Sequence, residues 1–273
     1  YSSCYWTGKE FHDFLKVLIP VFERDKITAK LILGEHSAWT ENPVLESLDD
    51  PATAARIDIV GVHAYGAVAR TPFAPISQRS GPLIETLKHK KKIWQTETAN
   101  LGQNHPGIRD GVYWAKVLHT HVAENRASAW LYWWAVSQYP GGGSLIHLDL
   151  DKKTYAVDKR LYTIGNYSRF VRPGYCRIDM EAEAAPGVLV SAYKSEAARK
   201  LAVVAINENE GDCPQELELK LEGVAAVSMT PCRTSANENL ATLPEIRIVE
   251  NTLRAALAPQ SVTTFVADVT PVK

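Results

Sequence analysis

The hydrophobic period of this chain changes once, around Arg172-Pro173-Gly174, and that change restricts it to a two-part fold. Before that point, short apolar runs alternate with stretches of helical spacing; after it, apolar residues recur at every second position. Thr7 and Glu10 have capping-box spacing, and Phe11, Phe14, Leu15, Leu18 and Phe22 follow on one helical face. The branched run at 29–35 (AKLILGE) reads as a strand, 43–56 as a broken helix, and 56–66 (RIDIVGVHAYG) as a second strand. Residues 82–90 are helical, 91–97 (KKIWQTE) strand-like, 107–125 a long amphipathic helix, 128–136 (SAWLYWWAV) a strand, and 158–171 a last helix. Four strand–helix pairs with near-continuous apolar strands imply parallel strands covered on both faces.

After residue 174 the runs 188–194, 200–207, 215–223, 226–231, 245–250, 252–258 and 261–269 alternate or are β-branched, separated by turn formers. Seven short strands at this spacing predict an antiparallel β-sandwich.

Charge excludes one class of function. With 30 Lys+Arg against 31 Asp+Glu the net charge is −1, without the basic excess that nucleic-acid binding needs. No apolar run approaches the ~18–20 residues of a membrane span. The four cysteines lack C-x-x-C spacing, which argues against a zinc site. Cys213 and Cys232 are either a disulfide or two free thiols. The 7 Trp and 11 Tyr serve either the core or a surface on which flat ligands stack. Tyr1 is not an initiator Met, and YSSCYW reads as an interior point of a longer polypeptide.

In parallel α/β folds the chemistry sits where strands end. Here four strand ends carry polar or aromatic groups: Glu35, His63 with Tyr65, Glu97, and Trp134. Glu97, flanked by Gln95 and Thr96, is placed to be held ionised, and such a carboxylate can attack an anomeric carbon to form a glycosyl ester. The plain alternative is a charged residue that starts a loop. His63 and Tyr65 flank Ala64 and so share a face, from which they could hold Glu97 or a sugar hydroxyl. Trp133 and Trp134 are expected on opposite faces, one against helices and one as a platform for a sugar ring. Glu35 is either a supporting polar residue or a second catalytic carboxylate. No metal-ligand cluster and no phosphate loop is evident, and chemistry by two carboxylates calls for no cofactor.

The stretches SSCYWTGKEFHDFLK, AKLILGEHS, DIVGVHAYG, KKIWQTE, AWLYWW, GNYSRFVRPGYCRID, VLVSAYK, LAVVAIN and APQSVTTFV, in this order, resemble family 30 glycoside hydrolases, above all their bacterial xylanase branch. The resemblance implies a (β/α)8 barrel beside a β-sandwich and hydrolysis with retention. It also implies Glu97 as nucleophile at the end of the seventh barrel strand, with His63, Tyr65 and Trp134 lining the sugar subsite. Glu35 and Trp6 complete the candidate substrate-binding set.

The family's general acid/base lies in an Asn-Glu-Pro motif that ends the fourth strand, and no such tripeptide occurs here. The expectation is therefore that residues 1–171 are strands five to eight of the barrel and 172–273 the sandwich. The acid/base would lie upstream of Tyr1, along with roughly 130 residues of a barrel of about 250. A longer chain or a partner fragment would complete it. Glucuronate-dependent xylanases of this branch use an Arg-rich segment after the eighth strand. The corresponding 135–143 (AVSQYPGGG) has neither Arg nor Lys. The expected activity is thus endo-xylanase action on β-1,4-xylan without a glucuronate requirement, in a secreted or periplasmic protein. The alternatives are an endo-β-1,6-galactanase or glucosylceramidase-like hydrolase, and an inactive carbohydrate-binding protein.

Overall fold

The computed structural model describes residues 4–65, 73, 81–180 and 185–271. The described chain forms two compact units. One comprises Tyr1–Asn104, Thr120–Ala135 and Pro140–Ser144, the other His105–His119, Val136–Tyr139 and Leu145–Lys273. Residues 105–119 and most of 136–171 thus group with the β-rich C-terminal region.

The first unit is built on a parallel sheet in sequential order: β1 (Leu31–His36), β2 (Ile57–His63), β3 (Lys92–Glu97) and β4 (Ala127–Trp130). Helix α1 (Gly8–Arg24) precedes β1, α2 (Leu45–Asp49) and α3 (Pro51–Arg56) lie between β1 and β2, and α4 (Ile84–Lys88) precedes β3. The capping box at α1 is present: the Thr7 amide donates to Glu10 Oε2 at 2.7 Å, and the Glu10 amide to Thr7 Oγ1 at 3.2 Å. Leu15 and Ile19 of α1 join Leu33, Leu48, Val60, Val62 and Ile93 in one apolar cluster, so one face of the sheet is closed by helices. The central strand β2 is buried almost throughout, whereas the edge strand β1 leaves Ile32 exposed.

In the second unit, α5 (Ile108–His119) packs along α6 (Lys159–Ser168), with a small sheet of β5 (Val136–Ser137), β6 (Ile146–Asp149) and β7 (Thr154–Val157). The β-rich region contains β8 (Cys176–Ile178), β9 (Val188–Ser195), β10 (Lys200–Asn207), β11 (Gln215–Lys220), β12 (Val224–Ala225), β13 (Ser228–Thr234), β14 (Ala241–Thr242), β15 (Ile246–Arg247), β16 (Thr252–Leu257), β17 (Ser261–Asp268) and β18 (Thr270–Pro271). Its main sheet runs β14-β13-β17-β10-β9-β8, and β15 also pairs with β13. A ribbon of β11 and β16 faces it, and Leu201, Val203 and Phe265 of the sheet share a core with Leu217, Leu219, Leu253 and Leu257 of the ribbon. That is a sandwich. Helix α6 binds to the sheet through Asn166, whose Nδ2 donates to the Cys232 carbonyl at 2.9 Å and whose carbonyl accepts from Thr264 Oγ1 at 2.6 Å. Strand β10 is therefore buried along nearly its whole length.

Cys213 and Cys232 are both free thiols, which settles that open alternative; Cys213 is exposed and Cys232 buried. Among the described residues, no helix is long and apolar enough to cross a membrane.

Candidate active site

Two irregularities of the parallel sheet build the site. Strand β1 pairs Gly34 with Gly61 and then His36 with Val62, so Glu35 is an extra residue in the ladder. Strand β3 pairs Gln95 with Val62 and then Glu97 with His63, which makes Thr96 the extra residue there. In a parallel ladder, paired residues point to the same face, and a one-residue slip moves every later side chain to the other face. Without the slip at Thr96, Glu97 would follow Ile93 and Gln95 toward the helices. With it, Glu97 joins His63.

Glycines make the second carboxylate fit. Gly34 has φ +119° and a Cβ there would lie 2.5 Å from the Gly61 carbonyl oxygen, so no larger residue is accommodated. A Cβ on Gly61 would meet Glu35 Oε1 at 2.1 Å and Ile32 Cγ2 at 2.7 Å. The Glu35 side chain, on a left-handed backbone of φ 58°, therefore lies across β2 where Gly61 has no side chain. There its Oε2 is 3.1 Å from His63 Nε2 and accepts from Thr96 Oγ1 at 3.0 Å.

Around Glu97 the groups converge from neighbouring strands. Tyr65 Oη donates to Glu97 Oε1 at 2.7 Å, and His63 Nε2 stands 3.9 Å from Glu97 Oε2. The His63 and Tyr65 rings meet edge to face at 5.9 Å, so the two do share a side. Glu35 is held below the usual carboxylate range by its hydrogen bond with His63, reinforced by Thr96, against the opposing effect of burial.

The aromatic segment beyond β4 departs from the alternation expected of it. Strand β4 ends at Trp130, so the period of two does not extend to Trp133 and Trp134. Their rings are 5.4 Å apart rather than on opposite faces. The segment still follows β3 through hydrogen bonds from the Leu131 amide to the Gln95 carbonyl at 3.0 Å and from the Trp133 amide to the Thr98 carbonyl at 2.8 Å. Trp134 remains 39% exposed, and its amide donates to the Gly143 carbonyl. The loop is fixed by Tyr132 Oη, which accepts from the Asn100 amide at 3.1 Å and donates to the Gly142 carbonyl at 2.9 Å. Trp6 packs on α1 against Phe11 and Phe14, at 5.2 and 5.4 Å.

No protein-family model matches the chain. The glucuronoxylanase XynC of Bacillus subtilis is 30% identical over 265 residues, which are 96% of this chain and 57% of that protein. The family 30, subfamily 8 xylanase of Clostridium acetobutylicum superposes with a TM-score of 0.81 at 28% identity, over 98% of this chain and 62% of that one. The chain is a homologue of the family 30 glycoside hydrolases. A family 30 endoxylanase from Clostridium papyrosolvens shares the fold, with a TM-score of 0.77 at 24% identity over 97% of this chain. This homologue spans somewhat over half the length of the relatives it matches.

In this family 30 homologue, four of the six residues singled out from the sequence, Glu35, His63, Tyr65 and Glu97, meet in one cluster, and Trp134 is carried by a segment bonded to β3. The cluster offers a carboxylate oriented by a phenol at one oxygen and faced by an imidazole at the other. Asn100 and Tyr132 were not singled out, and Thr96, expected to support Glu97, donates instead to Glu35 Oε2. The only signal for Thr96 was its place between Gln95 and Glu97, because a bulge leaves no mark in the hydrophobic period.

Proposed function

We propose that the chain is part of a retaining glycoside hydrolase that cleaves β-1,4-xylan internally, with Glu97 as nucleophile. The observation that carries this reading is the Glu97 carboxylate at the end of β3, oriented by Tyr65 Oη at 2.7 Å in a homologue of xylanases. Glu97 Oε2 attacks the anomeric carbon and the glycosidic C–O bond breaks as the leaving oxygen takes a proton from a general acid. Water then hydrolyses the resulting ester.

Glu35 is a poor candidate for that acid. Retention needs a carboxyl group that arrives protonated, about 5–5.5 Å from the nucleophile, and the partners of Glu35 favour its ionised form. The reading takes the proton donor from the Asn-Glu-Pro motif expected outside these 273 residues. Residues 1–171 would then supply half of the barrel, and the exposed Trp134 would stack on a sugar ring. A polymeric substrate of this kind is met outside the cytoplasm. With no Arg or Lys in 135–143, the reading also dispenses with glucuronate side groups.

An activated 2,4-dinitrophenyl 2-deoxy-2-fluoro-β-xylobioside tests the nucleophile in this chain itself, because its leaving group departs without protonation. The expected result is one fluoroglycosyl unit bound to the peptide that contains Glu97, and none in Glu97→Gln. A folded chain that binds xylo-oligosaccharides but is never labelled would instead be a carbohydrate-binding protein. Products spaced by the acid groups of glucuronoxylan, with no cleavage of unsubstituted xylan, would refute the glucuronate-independent part.

A further inference from the structure

Glu35 and Glu97 both address Nε2 of His63, at 3.1 and 3.9 Å. The other ring nitrogen, Nδ1, is buried and has no hydrogen-bond partner among the described residues. A buried N–H without an acceptor is costly, so the neutral ring carries its proton at Nε2, between the two carboxylates. Of these, Glu35 is the nearer, and Thr96 Oγ1 holds it in place at 3.0 Å. The arrangement uses Gly34, where a Cβ would strike the Gly61 carbonyl, Gly61, whose missing side chain leaves room for the Glu35 carboxylate, a non-glycine residue at φ 58° and a slip in each flanking strand. A left-handed conformation is disfavoured for a residue with a Cβ, so the sheet holds Glu35 there against local preference.

We propose that Glu35 is a positioning residue that claims the Nε2 proton of His63 and keeps it from Glu97, leaving Glu97 Oε2 as an undiminished nucleophile. The inference rests on the reading of Glu97 as nucleophile, yet its geometry concerns only the ring proton. A hydrogen bond from an imidazole to the attacking oxygen would stabilise the carboxylate in the ground state and slow its attack. Glu35 diverts that bond to the neighbouring strand, and Glu97 keeps the bond from Tyr65 on its other oxygen. Among the described residues, the charged and titratable groups placed against the ring are Glu35, Glu97 and Tyr65.

Imidazole ¹⁵N spectra of the wild-type chain decide the first part. The neutral ring of His63 is expected as the Nε2–H tautomer, and an Nδ1–H tautomer would overturn the proposal whatever the fate of any variant. The partner of that proton decides the second. The Nε2–H resonance of His63 should move more in Glu35→Gln than in Glu97→Gln, because Glu35 is the nearer acceptor. An equal or larger effect of Glu97→Gln would show that the proton belongs to Glu97 and would sink the idea. Labelling by the fluoroxylobioside separates the two readings. In Glu35→Ala it should slow about tenfold or more at saturating reagent, whereas no labelling even in the wild type, with the Nε2–H tautomer present, would refute only the nucleophile.

Discussion

Tyr65 Oη donates a 2.7 Å hydrogen bond to Glu97 Oε1, joining the turn after β2 to the last residue of β3. The bond orients the carboxylate without using Oε2, which faces His63. Tyr65→Phe removes the donor and keeps the ring. The bond fixes the carboxylate in the geometry of attack, so without it labelling of Glu97 by the fluoroxylobioside should slow by about tenfold or more. An unchanged rate would remove Tyr65 from the site.

Gly61→Ala places a methyl group onto Glu35 Oε1 and Ile32 Cγ2. Overpacking of this kind costs about 1–3 kcal/mol, read as a lower urea midpoint, and the Nε2–H resonance of His63 should shift as Glu35 is displaced. Gly107→Ala is the control, since nothing lies within 4 Å of the added carbon.

The second unit contains two groups whose titrations oppose each other. Asp110 shares the buried guanidinium of Arg160, 2.8 Å away, with Asp158, which His147 also contacts at 2.9 Å. Burial pushes the Asp110 carboxyl up to about 6, with Arg160 opposing and Asp158 adding to the rise. The folded state therefore holds that proton more tightly, and its contribution to stability is full below pH 4 and lost as pH rises through 6. His119, near Tyr167 and Arg177, is lowered to about 4, chiefly by burial and further by Arg177. Its contribution is present above pH 6.5 and lost as pH falls through 4. Across this window the two slopes offset. Asp110→Asn should expose the acid instability set by His119, and His119→Gln the opposite slope, each on the order of 2–3 kcal/mol between pH 4 and 6.5. Urea midpoints measured across that range check both signs.

Tyr132→Phe deletes one hydroxyl that serves both Asn100 and Gly142. Losing both hydrogen bonds should cost about 1–3 kcal/mol. If the loop positions Trp134, xylo-oligosaccharide affinity should fall together with stability, as followed by indole fluorescence. Loss of stability with affinity intact would make the network purely structural.

The sequence by itself determined the kind of element at each place. Apolar runs ending in Glu35, His63 and Glu97 could only be buried strands with a polar end, and the runs from Val188 onward alternate as a half-buried sheet must. The capping box at Thr7 was legible because it is local, its two partners lying three residues apart. The convergence of Tyr65 and His63 on Glu97 was legible as well, since parallel strands in one sheet bring their ends to one edge. Tertiary structure alone decided which face each end presents. A single extra residue at Glu35 and another at Thr96 set the parity of two strands, and neither changes the hydrophobic pattern. The contact of Trp133 with Trp134, the place of Trp6 on α1 and the burial of Arg160 between Asp110 and Asp158 were decided in the same way. Each depends on partners distant in the sequence or on where a strand stops. Periodicity encodes how a segment divides its residues between inside and outside, whereas register and strand ends are set only when the neighbouring segment is in place.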